Sequence, residues 1–101
     1  MVKFIDIDNT ICSTNGLDYV SAMPFNDKIA IVNKWYDEGH TIIYWTARGC
    51  ADDEPHRKKL CEVLTKKQLH DWGCKYHELK MDKPLFDEFY DDRAFNAREI
   101  N

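Results

Sequence analysis

The chain has 101 residues and a formal net charge of −4, with 44% hydrophobic and 13% aromatic residues. This length fits one domain over residues 1–101, and the hydrophobic content is too high for an intrinsically disordered chain. The negative charge argues against a general nucleic-acid-binding protein, which needs a dominant positive field.

The predicted elements alternate between strands and helices from the N-terminus onward. Residues 2–7 form an apolar run rich in β-forming residues, which is typical of a strand buried on both faces. Residues 9–25 have no sustained period and contain an Asn-Gly turn signal, so we expect an excursion with a small hairpin. A helix capped by Asn26 or Asp27 then runs to Gly39.

The second half of the chain continues this alternation. Residues 41–45 predict the second strand, and residues 53–72 have the apolar spacing of a helix that Thr65 is expected to divide in two. Residues 75–79 predict a third strand, and residues 86–90 predict a fourth. The order of elements indicates an α/β fold with a parallel sheet of about four strands, joined by right-handed crossovers.

Localisation and cysteine chemistry follow from features that the sequence lacks. No apolar run approaches the roughly 18 residues that span a membrane, and the first seven residues have no pattern of a secretory signal. We therefore expect a cytoplasmic protein without a membrane partner. Thiols stay reduced in that compartment, so free cysteines are expected at Cys12, Cys50, Cys61 and Cys74.

Each predicted strand is followed by polar residues with useful chemistry. They are Asp6, Asp8 and Thr10 after the first strand, Thr46 and Arg48 after the second, Lys83 after the third, and Asp91 and Asp92 after the fourth. Ligands of parallel sheets bind beyond the carboxyl ends of the strands, so we expect these residues to share one site. Capping of the following turn is the alternative role for Asp6 or Asp8.

Three carboxylates in one pocket, from Asp6, Asp8 and Asp92, would repel one another. A divalent cation relieves that repulsion, and hard oxygen ligands suit Mg²⁺, which a substrate phosphate often completes. Lys83 and Thr46 would then offer a positive charge and a hydroxyl group to the phosphate oxygens. An Asp carboxylate held beside such a phosphate is a suitable covalent nucleophile.

In this order, the four segments resemble the motifs of the haloacid dehalogenase (HAD) superfamily of phosphohydrolases. Those motifs are a strand ending in Asp-x-Asp-x-Thr, a strand closed by Thr or Ser, a Lys often followed by Pro, and an acidic pair after an apolar strand. The matching segments are FIDIDNT at residues 4–10, Thr46 in IIYWTARG, Lys83-Pro84, and Asp91-Asp92 in EFYDDRAFN.

The resemblance implies a three-layer, Rossmann-like fold of the small HAD-like type, because residues 46–83 leave no room for a cap domain. It implies a Mg²⁺-dependent phosphomonoester hydrolase acting on a small sugar phosphate or a similar metabolite, with a neighbouring subunit as a lid. The alternatives are a polynucleotide 3′-phosphatase and a non-catalytic phosphate-binding or receiver-like module. The order of the acidic motifs favours the hydrolase over the receiver.

The resemblance also implies roles for the acidic residues. Asp6 would be the nucleophile that forms an aspartyl-phosphate, and Asp8 would be the general acid and then the base that activates water. Mg²⁺ would be held by Asp6, by the backbone carbonyl of Asp8 and by Asp92, with Asp91 in support.

The remaining motif residues would bind the phosphoryl group. Thr46 and Lys83 would stabilise it during transfer, and Asn9 and Thr10 would be further phosphate-binding residues. Asn9 stands where the family more often has Gly, but Asn tolerates the left-handed backbone of such a turn. Arg48 either reads the substrate or is an exposed arginine in a turn.

A further departure from the family pattern is Asp82, which places a negative charge next to Lys83.

Overall fold

The central sheet of the protein has three parallel strands. A computed structural model of the protein describes residues 1–49 and 53–100. In the sheet, β4 lies between β1 and β5, and a separate antiparallel hairpin pairs β2 with β3. The strands are β1 (Val2–Ile5), β2 (Cys12–Asn15), β3 (Asp18–Pro24), β4 (Thr41–Trp45) and β5 (Glu78–Lys80). The predicted α/β class and the predicted hairpin are confirmed.

Two α-helices connect the strands of the sheet, as predicted. They are α1 (Asn26–Asp37), between β3 and β4, and α2 (Pro55–Asp71), between β4 and β5. A short 3₁₀ helix covers Ala97–Glu99. Within the described ranges, no helix combines the length and the apolar character needed to cross a bilayer. Free thiols are found at Cys12, Cys61 and Cys74, while Cys50 lies outside the described residues.

The helix ends differ in how they are capped. The predicted cap of α1 by Asn26 or Asp27 is wrong, because the helix begins after Phe25 without a side-chain cap. In α2, the Glu54 carboxylate accepts the first free backbone N–H groups. Thr65 does not divide α2, because its hydroxyl donates to a backbone carbonyl of the preceding turn at 2.8 Å and leaves the helix continuous.

Both helices pack against the same face of the sheet. Strand pairing sets Ile5 of β1 beside Tyr44 of β4, and both side chains are buried in the core. Ile29 and Val32 of α1 and Leu69 of α2 belong to that same core. Right-handed crossovers that step in one direction across a sheet put their helices on one side, which accounts for this two-layer arrangement.

The predicted fourth strand and third layer are not found among the described residues. Residues 86–90 are irregular and exposed. The reason is the length of the connection. Only residues 81–85 separate β5 from residues 86–90, whereas a crossover to a parallel strand needs about a dozen residues or more. One side of β1 therefore remains an edge of the sheet, where Val2 and Phe4 are 59% and 50% exposed.

We expect Leu69→Ala to lower the free energy of unfolding by about 2–5 kcal/mol, because Leu69 is fully buried in the shared core. Val63 lies on the same helix but is mostly exposed, so Val63→Ala serves as the matched control, with an expected change within about 0.5 kcal/mol. Urea unfolding followed by circular dichroism measures both values. Equal losses in the two variants would contradict the docking of α2 through Leu69.

Candidate functional site

A cavity of about 230 Å³ lies at the carboxyl ends of the parallel strands. Five residues proposed from the sequence line it: Asp6, Asp8, Thr46, Arg48 and Lys83. Asp6 follows β1 directly, Thr46 follows β4 directly, and Lys83 comes three residues after β5. The parallel direction of the strands therefore brings together side chains that are far apart in sequence.

Asp6 is a partly buried carboxylate that faces a lysine. Its side chain is 38% exposed, and Oδ1 lies 3.5 Å from Nζ of Lys83. Burial raises the pKa of Asp6 above its ordinary value, and the nearby Lys83 opposes that shift without cancelling it. The backbone N–H of Lys83 donates to the carbonyl of Thr46 at 3.2 Å, which ties the lysine segment to the end of β4.

Thr46 presents a hydroxyl group from a buried position. Its backbone N–H donates to the carbonyl of Lys80 at 2.9 Å, and its Oγ1 accepts the backbone N–H of Arg48 at 3.2 Å. Because Oγ1 is used as an acceptor, the hydroxyl proton is available for an anionic oxygen in the cavity.

Asp8 forms an ion pair with Arg48. Nη2 of Arg48 donates to Oδ1 at 2.7 Å, and Nε lies 3.1 Å and 3.0 Å from Oδ1 and Oδ2. The hydroxyl of Thr14, on β2, also donates to Oδ1 at 2.6 Å. The Arg48 side chain is fully buried, whereas that of Asp8 is 22% exposed. The carboxylate is thus fixed from the interior and open toward solvent.

The other side of Arg48 is bound by α2 and by the hairpin. Its Nη1 donates to Oγ1 of Thr65 at 3.2 Å and to Oε1 of Gln68 at 2.6 Å. Its guanidinium carbon lies 4.7 Å from the ring centroid of Tyr19, on β3. The expectation of an exposed turn arginine is therefore wrong. Arg48 also lines the cavity, so its role in reading the substrate stays a prediction.

Asn9 and Thr10 shape the backbone rather than line the cavity described above. Asn9 has a φ of 62°, the left-handed conformation that its side chain tolerates. Its N–H donates to the carbonyl of Cys12 at 2.7 Å, and the N–H of Thr10 donates to the carbonyl of Ile7 at 3.1 Å. This turn leads the chain from Asp8 into the hairpin.

The Asp82 side chain is hydrogen-bonded to Trp45 and, within the described ranges, does not line the cavity. Its Oδ1 accepts the indole N–H of Trp45 at 2.9 Å. The hydrogen bond explains how an acidic residue is accommodated immediately before Lys83.

Asp91 and Asp92 are not in the cavity lining formed by the described residues. Both are exposed, and Oδ1 of Asp91 accepts the backbone N–H of Arg93 at 2.7 Å. Over residues 1–49 and 53–100, no group of three His, Cys, Asp or Glu residues is arranged to hold a metal ion. The missing fourth strand is the physical reason, since that strand was expected to carry the acidic pair to the sheet edge.

The residues of the cavity would hold Mg²⁺ only together with a phosphate group supplied by the substrate. Mg²⁺ commonly binds through one or two carboxylates together with water and a substrate phosphate. Arg48 and Thr14 already occupy Oδ1 of Asp8, so Asp6 is the more accessible of the two cavity carboxylates for a cation. Mg²⁺ bound here would be held by Asp6 and by a phosphate ligand.

No protein-family model and no curated protein matches this chain. Among solved structures, it is similar to the crystal structure of a structural genomics target from Vibrio cholerae, with a TM-score of 0.84 and 26% sequence identity. The likeness covers 98% of this chain and 85% of the Vibrio chain. It supports the small α/β fold described above.

Neutralising the two acidic residues should affect stability differently. Asp8→Asn should lower the free energy of unfolding by about 2–4 kcal/mol, because it leaves the buried Arg48 without its counter-charge. Asp6→Asn is the matched control and should not destabilise the protein, since burial already disfavours the Asp6 carboxylate. Urea unfolding at neutral pH gives both values, and a neutral Asp8→Asn would contradict the ion pair.

Asp6 also predicts a pH dependence of stability. Because the pKa of Asp6 is raised in the folded state, the native protein binds this proton more tightly than the unfolded chain does. The resulting stability is present below the unfolded pKa and is lost as the pH rises through the folded one. Relative to Asp6→Asn, the wild type should gain stability from neutral to acidic pH in urea unfolding; a relative loss would contradict the raised pKa.

Proposed function

We propose that the protein is a small, HAD-like phosphomonoester hydrolase that transfers the phosphoryl group of its substrate to Asp6. The observation that carries this proposal is the shared cavity of Asp6, Asp8, Thr46 and Lys83. A nucleophilic carboxylate, a second carboxyl for proton transfer, a hydroxyl donor and a cation are the groups that phosphoryl transfer through an aspartyl-phosphate requires.

Asp6 is the nucleophile in this proposal because it is the more accessible of the two carboxylates. Oδ of Asp6 attacks phosphorus, and the bond from phosphorus to the leaving oxygen breaks. Lys83, 3.5 Å from Asp6, and the hydroxyl of Thr46 stabilise the charge on the phosphoryl oxygens. Placing the cation beside the nucleophile also reduces the repulsion between two anions as they approach.

Asp8 is the proton-transfer group. In its protonated form it donates to the leaving oxygen as the bond to phosphorus breaks, and it then removes a proton from the water that attacks the aspartyl-phosphate. The second step releases inorganic phosphate and restores Asp6. Asp8 suits this role because Arg48 and Thr14 fix its position while part of the carboxylate stays exposed.

When bound with substrate, Mg²⁺ would supply further neutralisation of the phosphoryl charge. Asp6 is the cavity residue that would hold it. The role of Asp92 as a ligand stays a prediction from the resemblance. Asp92→Asn tests that role: if Asp92 is a ligand, the variant needs more Mg²⁺ for half-maximal turnover, whereas the described arrangement predicts an unchanged requirement.

The cavity supports a small substrate. Its volume of about 230 Å³ accommodates a phosphate group and a few further atoms, with Tyr19 and Phe86 in its lining. A small phosphorylated metabolite such as a sugar phosphate is the proposed substrate class, as the resemblance implies. A polynucleotide with a 3′-phosphate end is the comparison substrate in the same assay.

The wild type should release phosphate from an aryl phosphate in the presence of Mg²⁺, whereas Asp6→Asn and Asp8→Asn should abolish turnover. Lys83→Met should lower kcat by about 10²–10³-fold, because it removes a preorganised charge from the transferring phosphoryl group. Lys75→Met is the matched control, since Lys75 is exposed and paired with Asp37 away from the cavity. A panel of sugar phosphates, nucleotides and 3′-phosphorylated oligonucleotides without turnover would contradict the proposal.

Metal removal should stop the reaction. We expect EDTA to abolish turnover and added Mg²⁺ to restore it, because one lysine leaves much of the phosphate charge uncompensated. We also expect calorimetry to detect stronger Mg²⁺ binding when inorganic phosphate is present. Full activity in EDTA would exclude the predicted cofactor while leaving the role of Asp6 to be judged from its own variant.

A further inference from the structure

The most extensively bonded side chain at the site is Arg48, which the proposed reaction does not use directly. Its guanidinium contacts Asp8, Thr65 and Gln68 through hydrogen bonds and lies against the ring of Tyr19. These partners come from three segments: the loop after β1, helix α2, and β3 of the hairpin. Arg48 thus joins the Asp8 loop to the helix and to the hairpin.

The hydrogen bonds divide the two oxygens of Asp8 unequally. Oδ1 accepts Nη2 of Arg48 at 2.7 Å and the hydroxyl of Thr14 at 2.6 Å, and Nε also lies within 3.1 Å. Among the hydrogen bonds of the described residues, Oδ2 accepts only Nε of Arg48, at 3.0 Å. Oδ1 is therefore saturated by the protein, and Oδ2 retains the capacity to exchange a proton with a ligand.

From this arrangement we infer that Arg48 is a positioning residue for proton transfer, which directs Oδ2 of Asp8 to the leaving oxygen of the substrate. The inference rests on the proposed function and adds to it the atom that carries the proton and the residue that orients it. A planar guanidinium is suited to this task, because its donors are fixed in one plane and control the rotation of the carboxylate.

A contribution to stability does not by itself explain the ion pair between Arg48 and Asp8. Removing two charges from water is costly, and a buried ion pair often contributes no more than well-packed apolar residues of the same size. The network also extends away from Asp8, since Nε2 of Gln68 donates to the backbone carbonyl of Tyr19 at 2.6 Å. Gln68 thereby holds both Arg48 and the cavity-lining strand of the hairpin in one position.

The test compares two substrates that differ in their need for a proton. A nitrophenyl phosphate has a leaving group that departs as a stable anion, whereas an alkyl phosphate such as glycerol phosphate needs protonation of its leaving oxygen. In Arg48→Lys, kcat for the alkyl phosphate should fall by about 100-fold, because a misplaced acid loses most of its effect. For the nitrophenyl phosphate, kcat should fall by less than about tenfold, and KM should change little for either substrate.

Arg98→Met is the matched control, since Arg98 is exposed and its side chain contacts Asn96 in its own 3₁₀ turn. It should leave both activities unchanged. Equal losses on the two substrates in Arg48→Lys would overturn the inference and indicate a purely structural role. Wild-type protein without turnover of either phosphate would instead refute the proposed function itself, so the two failures are distinguishable.

Gln68→Met provides a second variant if Arg48→Lys does not fold. It removes an acceptor of Nη1 but keeps the pairing of Arg48 with Asp8, so we expect a smaller loss, of about tenfold, confined to the alkyl phosphate. Circular dichroism confirms folding before the kinetics are measured. A loss in Gln68→Met that is the same for both substrates would also overturn the inference.

Discussion

The ion pair between Arg48 and Asp8 is the interaction on which the arrangement of the site depends. Arg48 is fully buried, and its main counter-charge is a carboxylate at the edge of the cavity. A buried guanidinium is tolerated only when its charge and its donors are satisfied. Asp8, Thr65 and Gln68 meet that requirement together, so the Asp8 loop, the end of β4 and α2 are held in one relative position.

The same constraint gives two neighbouring acids different environments. Asp8 is held from the interior by a fixed cation and a hydroxyl donor, whereas Asp6 is more open and faces a lysine. Burial raises the pKa of Asp6, and Lys83 limits that rise. The proposed reaction needs this difference between Asp6 and Asp8, since one acts as the nucleophile and the other transfers a proton. The difference arises without a third carboxylate.

The sequence predicted the parts of the fold and site that follow from strand direction. Asp6, Thr46 and Lys83 meet because each follows a strand, and parallel strands end at one edge. The fourth strand was wrong because residues 86–90 have strand-forming composition but only five residues separate them from β5, too few for a parallel crossover. The length of that connection is readable from the sequence and outweighs local strand-forming composition, while the role of Asp92 as a ligand stays a prediction.

The burial of Arg48 was not predicted, because its partners on α2, Thr65 and Gln68, are polar residues of the kind that usually face solvent. The buried residues of α2 are Thr65, Gln68 and Leu69, two of them polar, so apolar spacing gave no signal there. Thr65, Gln68 and Leu69 lie at i, i+3 and i+4 on one face of α2, so two polar residues beside a core leucine were the available signal of a polar partner in the interior.

Identification of the residue that becomes phosphorylated tests the proposed mechanism most sharply. The protein would be mixed with an aryl phosphate, quenched during turnover, reduced with borohydride to convert an aspartyl-phosphate to homoserine, and mapped by peptide mass spectrometry. An aspartyl-phosphate on Asp6 gives homoserine at position 6 and no conversion at position 8. Conversion at position 8, or turnover without conversion at either position, would contradict the proposed mechanism.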